Sequence, residues 1–379
     1  MAPSAAKGTV GIMRLKIIFG VSALIMSTAS LAVFISLPKD PTPPSQKWAE
    51  SVLRDCRNED LSKCTGIKIA KVSKKDIPMV FKAASALAAS APGAYDCHTA
   101  LHYTALELVK EFDPEYLLKF YDPACLDGFS HGVLEGFALT AKETVFEEKI
   151  WGLCSIFEKD SLKRDTCLHG IGHALMLRYP DSIKAVATSC DFFKGTDAYV
   201  CGQGVFMSYT NEGGPSLSGR DVNISLTRLD SKEAESLCKS IPTSVAPACW
   251  DAAWLFFDPV STDVPKIMEN LCKTSGDFKD VCYQGLGLSL FFRSGSEPPS
   301  DPETFKSFVS SKFSLCPIEY QGSCYTGLSY AGTLWWGSFQ DSIESYPSVC
   351  GLIDPDSKDL VDACTKGESR INLEKDLAS

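Results

Sequence analysis

Apolar positions in this chain gather into short, dense runs, among them Ala252 to Phe257 and Leu286 to Phe292. These runs are too apolar to show a clean helical period, the pattern of a helix buried on most sides. None alternates in steps of two, as a half-buried strand would. The expected elements are helices, with strands nearly absent. A longer uncharged run covers residues 17–37, enough to cross a bilayer as a helix. Lys7, Arg14 and Lys16 precede it with no acidic residue, which predicts an N-terminus held in the cytoplasm. Ser30 and Ala32 offer a small-x-small cleavage site. Apolar character continues to Leu37, so an uncleaved signal-anchor is the expectation, with a secreted product if cleavage occurs.

Cysteine spacing gives the runs an order. Sixteen cysteines fall into eight neighbouring pairs: 56/64, 97/125, 154/167, 190/201, 238/249, 272/282, 316/324 and 350/364. From Cys154 onward the first members advance by 36, 48, 34, 44 and 34, the two larger steps coinciding with loop-like stretches after Asn211 and Ser294. A period near 34 is that of a stacked helix-pair array. Glycine stands three residues after the second cysteine at Gly128, Gly170, Gly204, Gly285, Gly327 and Gly367. There it lets neighbouring helices approach closely. Each unit reads as helix A, a short turn, and helix B beginning near the second cysteine. One disulfide staples the hairpin, contributing about 2–3 kcal/mol per bridge. So many cysteines without a CxxC point to an oxidising compartment.

These Cys-x-x-Gly hairpins resemble the cysteine-rich Sel1-like repeat proteins, whose paired helices are also stapled across the turn. The resemblance covers roughly residues 150–367 and rests on spacing. That family's usual Gly-x-Gly between helices and its alternating Ala/Tyr positions are missing. The resemblance implies an αα-superhelix and, as function, a protein-interaction scaffold. The resulting layout is a cytoplasmic segment at 1–16, a transmembrane helix at 17–37 and a Pro-rich linker at 38–48. A helical repeat domain follows at 49–367, with a His-rich half at 95–210 and C-terminal repeats at 230–367, and a polar tail at 368–379.

Composition excludes one class. With a net charge of −10 and no basic patch, the chain does not read as a nucleic-acid binder. Candidate chemistry lies in the histidines. All five fall between His98 and His173, four of them in i,i+4 pairs, His98/His102 and His169/His173. Such pairs share one helix face, and neutral imidazole is the commonest metal ligand. Counted from the second cysteine, Asp127, His131 and Glu135 occupy offsets 2, 6 and 10, and His169 and His173 occupy offsets 2 and 6. Equal offsets on stacked helices place side chains in adjacent rows. The expected ligands are His98, His102, His131, His169, His173 and Glu135, with Glu135 or Asp127 as general base if the metal activates water. Zinc is the first choice, with copper or iron as alternatives.

Zincin and di-iron signatures are absent: Thr99 and Gly170 stand where a zincin needs glutamate. Met207, one repeat along, is a core residue or a soft copper ligand. The doublets Phe256/Phe257, Phe291/Phe292 and Trp335/Trp336 are expected to pack between repeats. Asn223 heads a glycosylation sequon. The leading functional reading is a membrane-tethered extracytoplasmic metalloprotein, with hydrolysis as its enzymatic form. The competing reading is an envelope scaffold that binds a protein or cell-envelope partner on a concave face, its histidines being structural.

Overall fold

A computed structural model describes residues 43–376 except for 92–95, 123, 124, 126, 160, 211–227, 259, 260, 294–297, 300 and 340–347. The expected membrane span, the Asn223 sequon and most of both insertion loops lie outside the described residues. Among the described residues no helix is long and apolar enough to cross a membrane.

The described chain is all-α, without strands. Its helices are α1 (Gln46–Asp55), α2 (Leu61–Ser73), α3 (Met79–Ser90), α4 (Cys97–Leu108), α5 (Pro114–Leu118), α6 (Gly128–Thr140), α7 (Glu143–Lys149), α8 (Leu162–Arg178) and α9 (Ile183–Ser189). They continue as α10 (Thr196–Thr210), α11 (Ser231–Ser240), α12 (Ala246–Ala252), α13 (Val264–Cys272), α14 (Lys279–Phe292), α15 (Pro302–Phe313), α16 (Gln321–Phe339) and α17 (Lys358–Asp376). Starts are set by side-chain caps: Ser45, Asp60, Asp96, Asp113, Ser161, Ser182, Asp230 and Asp301 each accept a hydrogen bond from a first-turn amide. Helix α1 starts inside the stretch read as linker, and α17 runs on into the stretch read as tail. There Glu368 is buried and accepts hydrogen bonds from the amides of Val349 and Cys350.

The B helices form one continuous row. Helices α2, α4, α6, α8, α10, α12, α14, α16 and α17 each pack on the next, and the shorter A helices lie beside them. What sets the spacing is glycine against carbonyl. A Cβ on Gly204 would stand 1.9 Å from the His169 carbonyl oxygen, and one on Gly327 1.9 Å from that of Gln284. Gly285 meets the Asp251 carbonyl and Gly367 that of Thr326, both at 2.3 Å. In all four contacts a glycine three residues past its cysteine lies on a carbonyl two residues past the preceding one. The recurrent Cys-x-x-Gly is thus a register lock between successive helices.

All eight disulfides pair sequentially, and no cysteine is free. Two details differ from expectation. Most B helices start three to five residues before the second cysteine, so the sulfur leaves from the first turns and faces the A helix. Cys97–Cys125 does not staple a hairpin: it ties the first residue of α4 to the turn ahead of α6, across α5. The aromatic doublets pack mainly as core. Phe291 contacts Phe305 and Phe308, and Trp335 and Trp336 lie against Phe305, although Phe292 is 39% exposed.

Replacing Gly204 or Gly327 with alanine should destabilise the fold by about 1–3 kcal/mol or more, because the forced separation outweighs the gain of up to about 1 kcal/mol in helix propensity. Gly152 and Gly351, with nothing within 4 Å of where an alanine methyl would stand, should tolerate the same change. Denaturant unfolding of the four variants checks this. Equal midpoints for all four would remove the register lock.

Candidate metal centre

Three consecutive B helices, α4, α6 and α8, carry all five histidines. Glycines bring them together. A Cβ on Gly128 would stand 2.4 Å from the His98 carbonyl oxygen, and one on Gly132 2.6 Å from the His102 backbone. One on Gly170 would stand 2.7 Å from the Leu134 side chain and 3.2 Å from the His131 ring. At such spacing imidazoles from neighbouring helices must meet. The turn entering α6 is held in the left-handed region at Cys125 (φ 57°) and Asp127 (φ 61°), a conformation that costs a non-glycine residue about 1 kcal/mol or more. It aims the Cys125 carbonyl at His98.

His131 sits centrally. Its ring centroid is 5.8 and 5.7 Å from those of His98 and His102, and 5.3 and 5.2 Å from those of His169 and His173. Within the pairs the centroids are 4.6 Å (His98/His102) and 4.9 Å (His169/His173) apart. His102, His131 and His173 are buried, whereas His98 and His169 are partly exposed.

Hydrogen bonds fix the tautomers. His98 Nδ1 is 2.9 Å from the Cys125 carbonyl oxygen, which can only accept, so Nδ1 carries the proton and donates. His102 Nδ1 donates to Glu135 Oε2 at 2.6 Å, and His173 Nδ1 lies 3.2 Å from Glu135 Oε1 and donates to that carboxylate. With Nδ1 donating, Nε2 is the nitrogen each of these rings has left for a ligand or a further partner. His98 Nε2 and His102 Nε2 face each other at 3.0 Å. With a proton on one of them this is an N–H···N hydrogen bond; with none, both nitrogens are free to ligate one cation. Four-coordinate zinc at about 2.0–2.1 Å from each nitrogen would separate two ligands by about 3.3 Å. Among the described residues, His173 Nε2 and both ring nitrogens of His131 have no hydrogen-bond partner although buried. Leaving such groups unsatisfied costs about 1–3 kcal/mol each. One ligand atom each from His98, His102 and His131 lies within 4.8 Å of the others, a spacing that fits one ion.

The charges agree. Burial, then the neighbouring His102, pushes His98 down to about 4. Burial and the surrounding imidazoles hold His131 and His169 well below the ordinary histidine range. These rings stay neutral, as ligands must. Burial alone would raise Glu135, but His102 and His173 hold it at about 2, so it is a carboxylate. Both its oxygens are committed to imidazole N–H groups, which makes it an orienting group for two rings. Asp127 hydrogen bonds to Thr166 Oγ1 at 3.1 Å rather than to a histidine. Burial raises it to about 6 against the pull of Tyr121 and Thr166. Met207 is 41% exposed rather than core. Sequence reasoning missed the Cys125 carbonyl and Ser130, whose buried Oγ has no partner among the described residues. A main-chain acceptor leaves no mark in residue identity. No family model, curated protein or solved structure matches the chain.

Proton linkage gives a prediction. Unfolded histidines bind protons below about pH 6.5. Folded His98 does so only near 4, and His131 and His169 lower still. Between pH 6.5 and 4 the unfolded chain holds more protons, so stability must fall as pH falls. Asp127 acts oppositely, gaining stability as pH drops through 6, but one group faces three. Glu135 adds a further loss below its unfolded value of 4.5. The metal-stripped protein should therefore show a denaturation midpoint that drops steadily from pH 7 to pH 4. A flat or rising midpoint would contradict the buried neutral cluster.

Proposed function

We propose that this protein is a membrane-tethered, extracytoplasmic metal-holding protein whose B helices form the inner wall of an αα-superhelix. The observation that carries the reading is the convergence of His98, His102 and His131, the first two with Nδ1 locked by an acceptor and Nε2 turned toward the shared centre. Every cysteine is oxidised, so thiolate is not in the donor set. Imidazole ligands suit zinc first, and copper or iron after it, whereas calcium and magnesium take oxygen donors. Eight disulfides support folding in an oxidising compartment. The apolar segment 17–37 supports a tether.

Holding the ion ranks ahead of hydrolysis. Glu135 and Asp127, the two carboxylates suited to act as base, are engaged by imidazole N–H groups and by Thr166 respectively. If water is activated, the partly exposed side at His98 and His169 is where substrate would approach. A scaffold reading is favoured by the uninterrupted B-helix row beyond α8, which continues without histidine to α17. Under it the imidazoles would only pack.

Metal analysis separates the two. The protein isolated from its exported fraction with disulfides intact should carry zinc in stoichiometric amount, and His131→Ala should lose most of it while keeping the helical far-ultraviolet spectrum. A metal-free wild type that gains no thermal stability on adding zinc would favour the scaffold. Glu135→Gln should weaken zinc binding about 10–100-fold, since the amide cannot accept from both imidazoles with a full charge. Competition against a chromophoric chelator measures this, and unchanged affinity would remove Glu135 from the site.

A further inference from the structure

We infer that the five histidines form two metal stations rather than one: a tight ion at His98, His102 and His131, and a weaker ion at His169 and His173. The inference rests on the metal-holding reading above and concerns how many ions the cluster takes and how they differ.

Three observations support it. Five imidazoles exceed the four ligands of a tetrahedral ion, and only three of them present atoms within 4.8 Å of one another. His173, 5% exposed, has Nδ1 held by Glu135 and a buried Nε2 without a hydrogen-bond partner among the described residues, so it is an oriented, unpartnered nitrogen outside that trio. His169 lies one turn away with its ring centroid 4.9 Å from that of His173, and it is partly exposed. An i,i+4 pair of this kind supplies two ligands and leaves the remaining positions to water. Glu135 orients one ring of each station, which places a single carboxylate beside both ions. The second ion is thus bound against the charge of the first across the His131 ring, and with fewer protein ligands. Both effects weaken it.

Calorimetric titration of the metal-stripped full chain with zinc, disulfides intact, tests this. Two events of one equivalent each are expected, the second at least about tenfold weaker. The double variant His169→Ala/His173→Ala should lose the weak event and keep the tight one within about threefold. His98→Ala/His102→Ala should lose the tight event. The milder His169→Asn, altering a partly exposed residue, should weaken only the second event by about tenfold or more. Saturation of the wild type at one equivalent would overturn the two-station arrangement while leaving the metal-holding reading intact, as would a weak event that survives both His169 variants. No binding at all would overturn the metal-holding reading itself.

Discussion

The contact on which this structure depends is a glycine pressed against the backbone carbonyl of the preceding B helix. Side-chain packing alone would leave neighbouring helices about 8–10 Å apart with freedom to slide. A methyl-sized obstruction 1.9 Å from a carbonyl oxygen cannot be accommodated by a rotamer change, so Gly204 and Gly327 each fix one separation and one register. Because the same offsets from the cysteines recur, the register propagates along the row. The disulfides then hold each short A helix against a position already set. Stability and alignment have separate sources: sulfur restrains the hairpins, and glycine aligns them.

The histidine cluster is a local consequence of that alignment. Gly128, Gly132 and Gly170 draw α4, α6 and α8 together where each helix carries histidine, and the rings have no room to turn away. Burying five imidazoles with one carboxylate is costly unless the polar atoms are satisfied. Glu135 satisfies two, and the Cys125 carbonyl satisfies a third. Among the described residues, His173 Nε2 and both nitrogens of His131 are left without a partner. A divalent cation would answer both needs at once, satisfying ring nitrogens and balancing the Glu135 charge. The Cys97–Cys125 bridge fits the same logic, since it ties the N-terminus of α4 to the turn whose carbonyl orients His98.

Much of this was legible in the sequence. The cysteine spacing carried the pairing and the helical class because short-range disulfides and period are local properties. The histidine rows were legible because equal offsets become adjacency once helices stack in register. What the sequence hid depends on the backbone. Most B helices start about a turn ahead of their second cysteine, and side-chain caps mark that start only at α2, α4 and α8. The α4–α6 bridge breaks the hairpin rule because its first cysteine opens α4 itself and α5 carries none. The division of roles among carboxylates was also invisible: Glu135 and Asp127 share a repeat register, yet one faces two imidazoles and the other faces Thr166.

X-ray absorption at the zinc edge on the intact, disulfide-bonded protein tests the central claim most directly. The account predicts three or four nitrogen scatterers at about 2.0–2.1 Å, with the outer-shell pattern of imidazole and no sulfur shell near about 2.3 Å. Loss of His131 should remove most of the imidazole signal. A sulfur shell, an all-oxygen shell, or a spectrum unchanged in His131→Ala would contradict a histidine-held ion at this cluster.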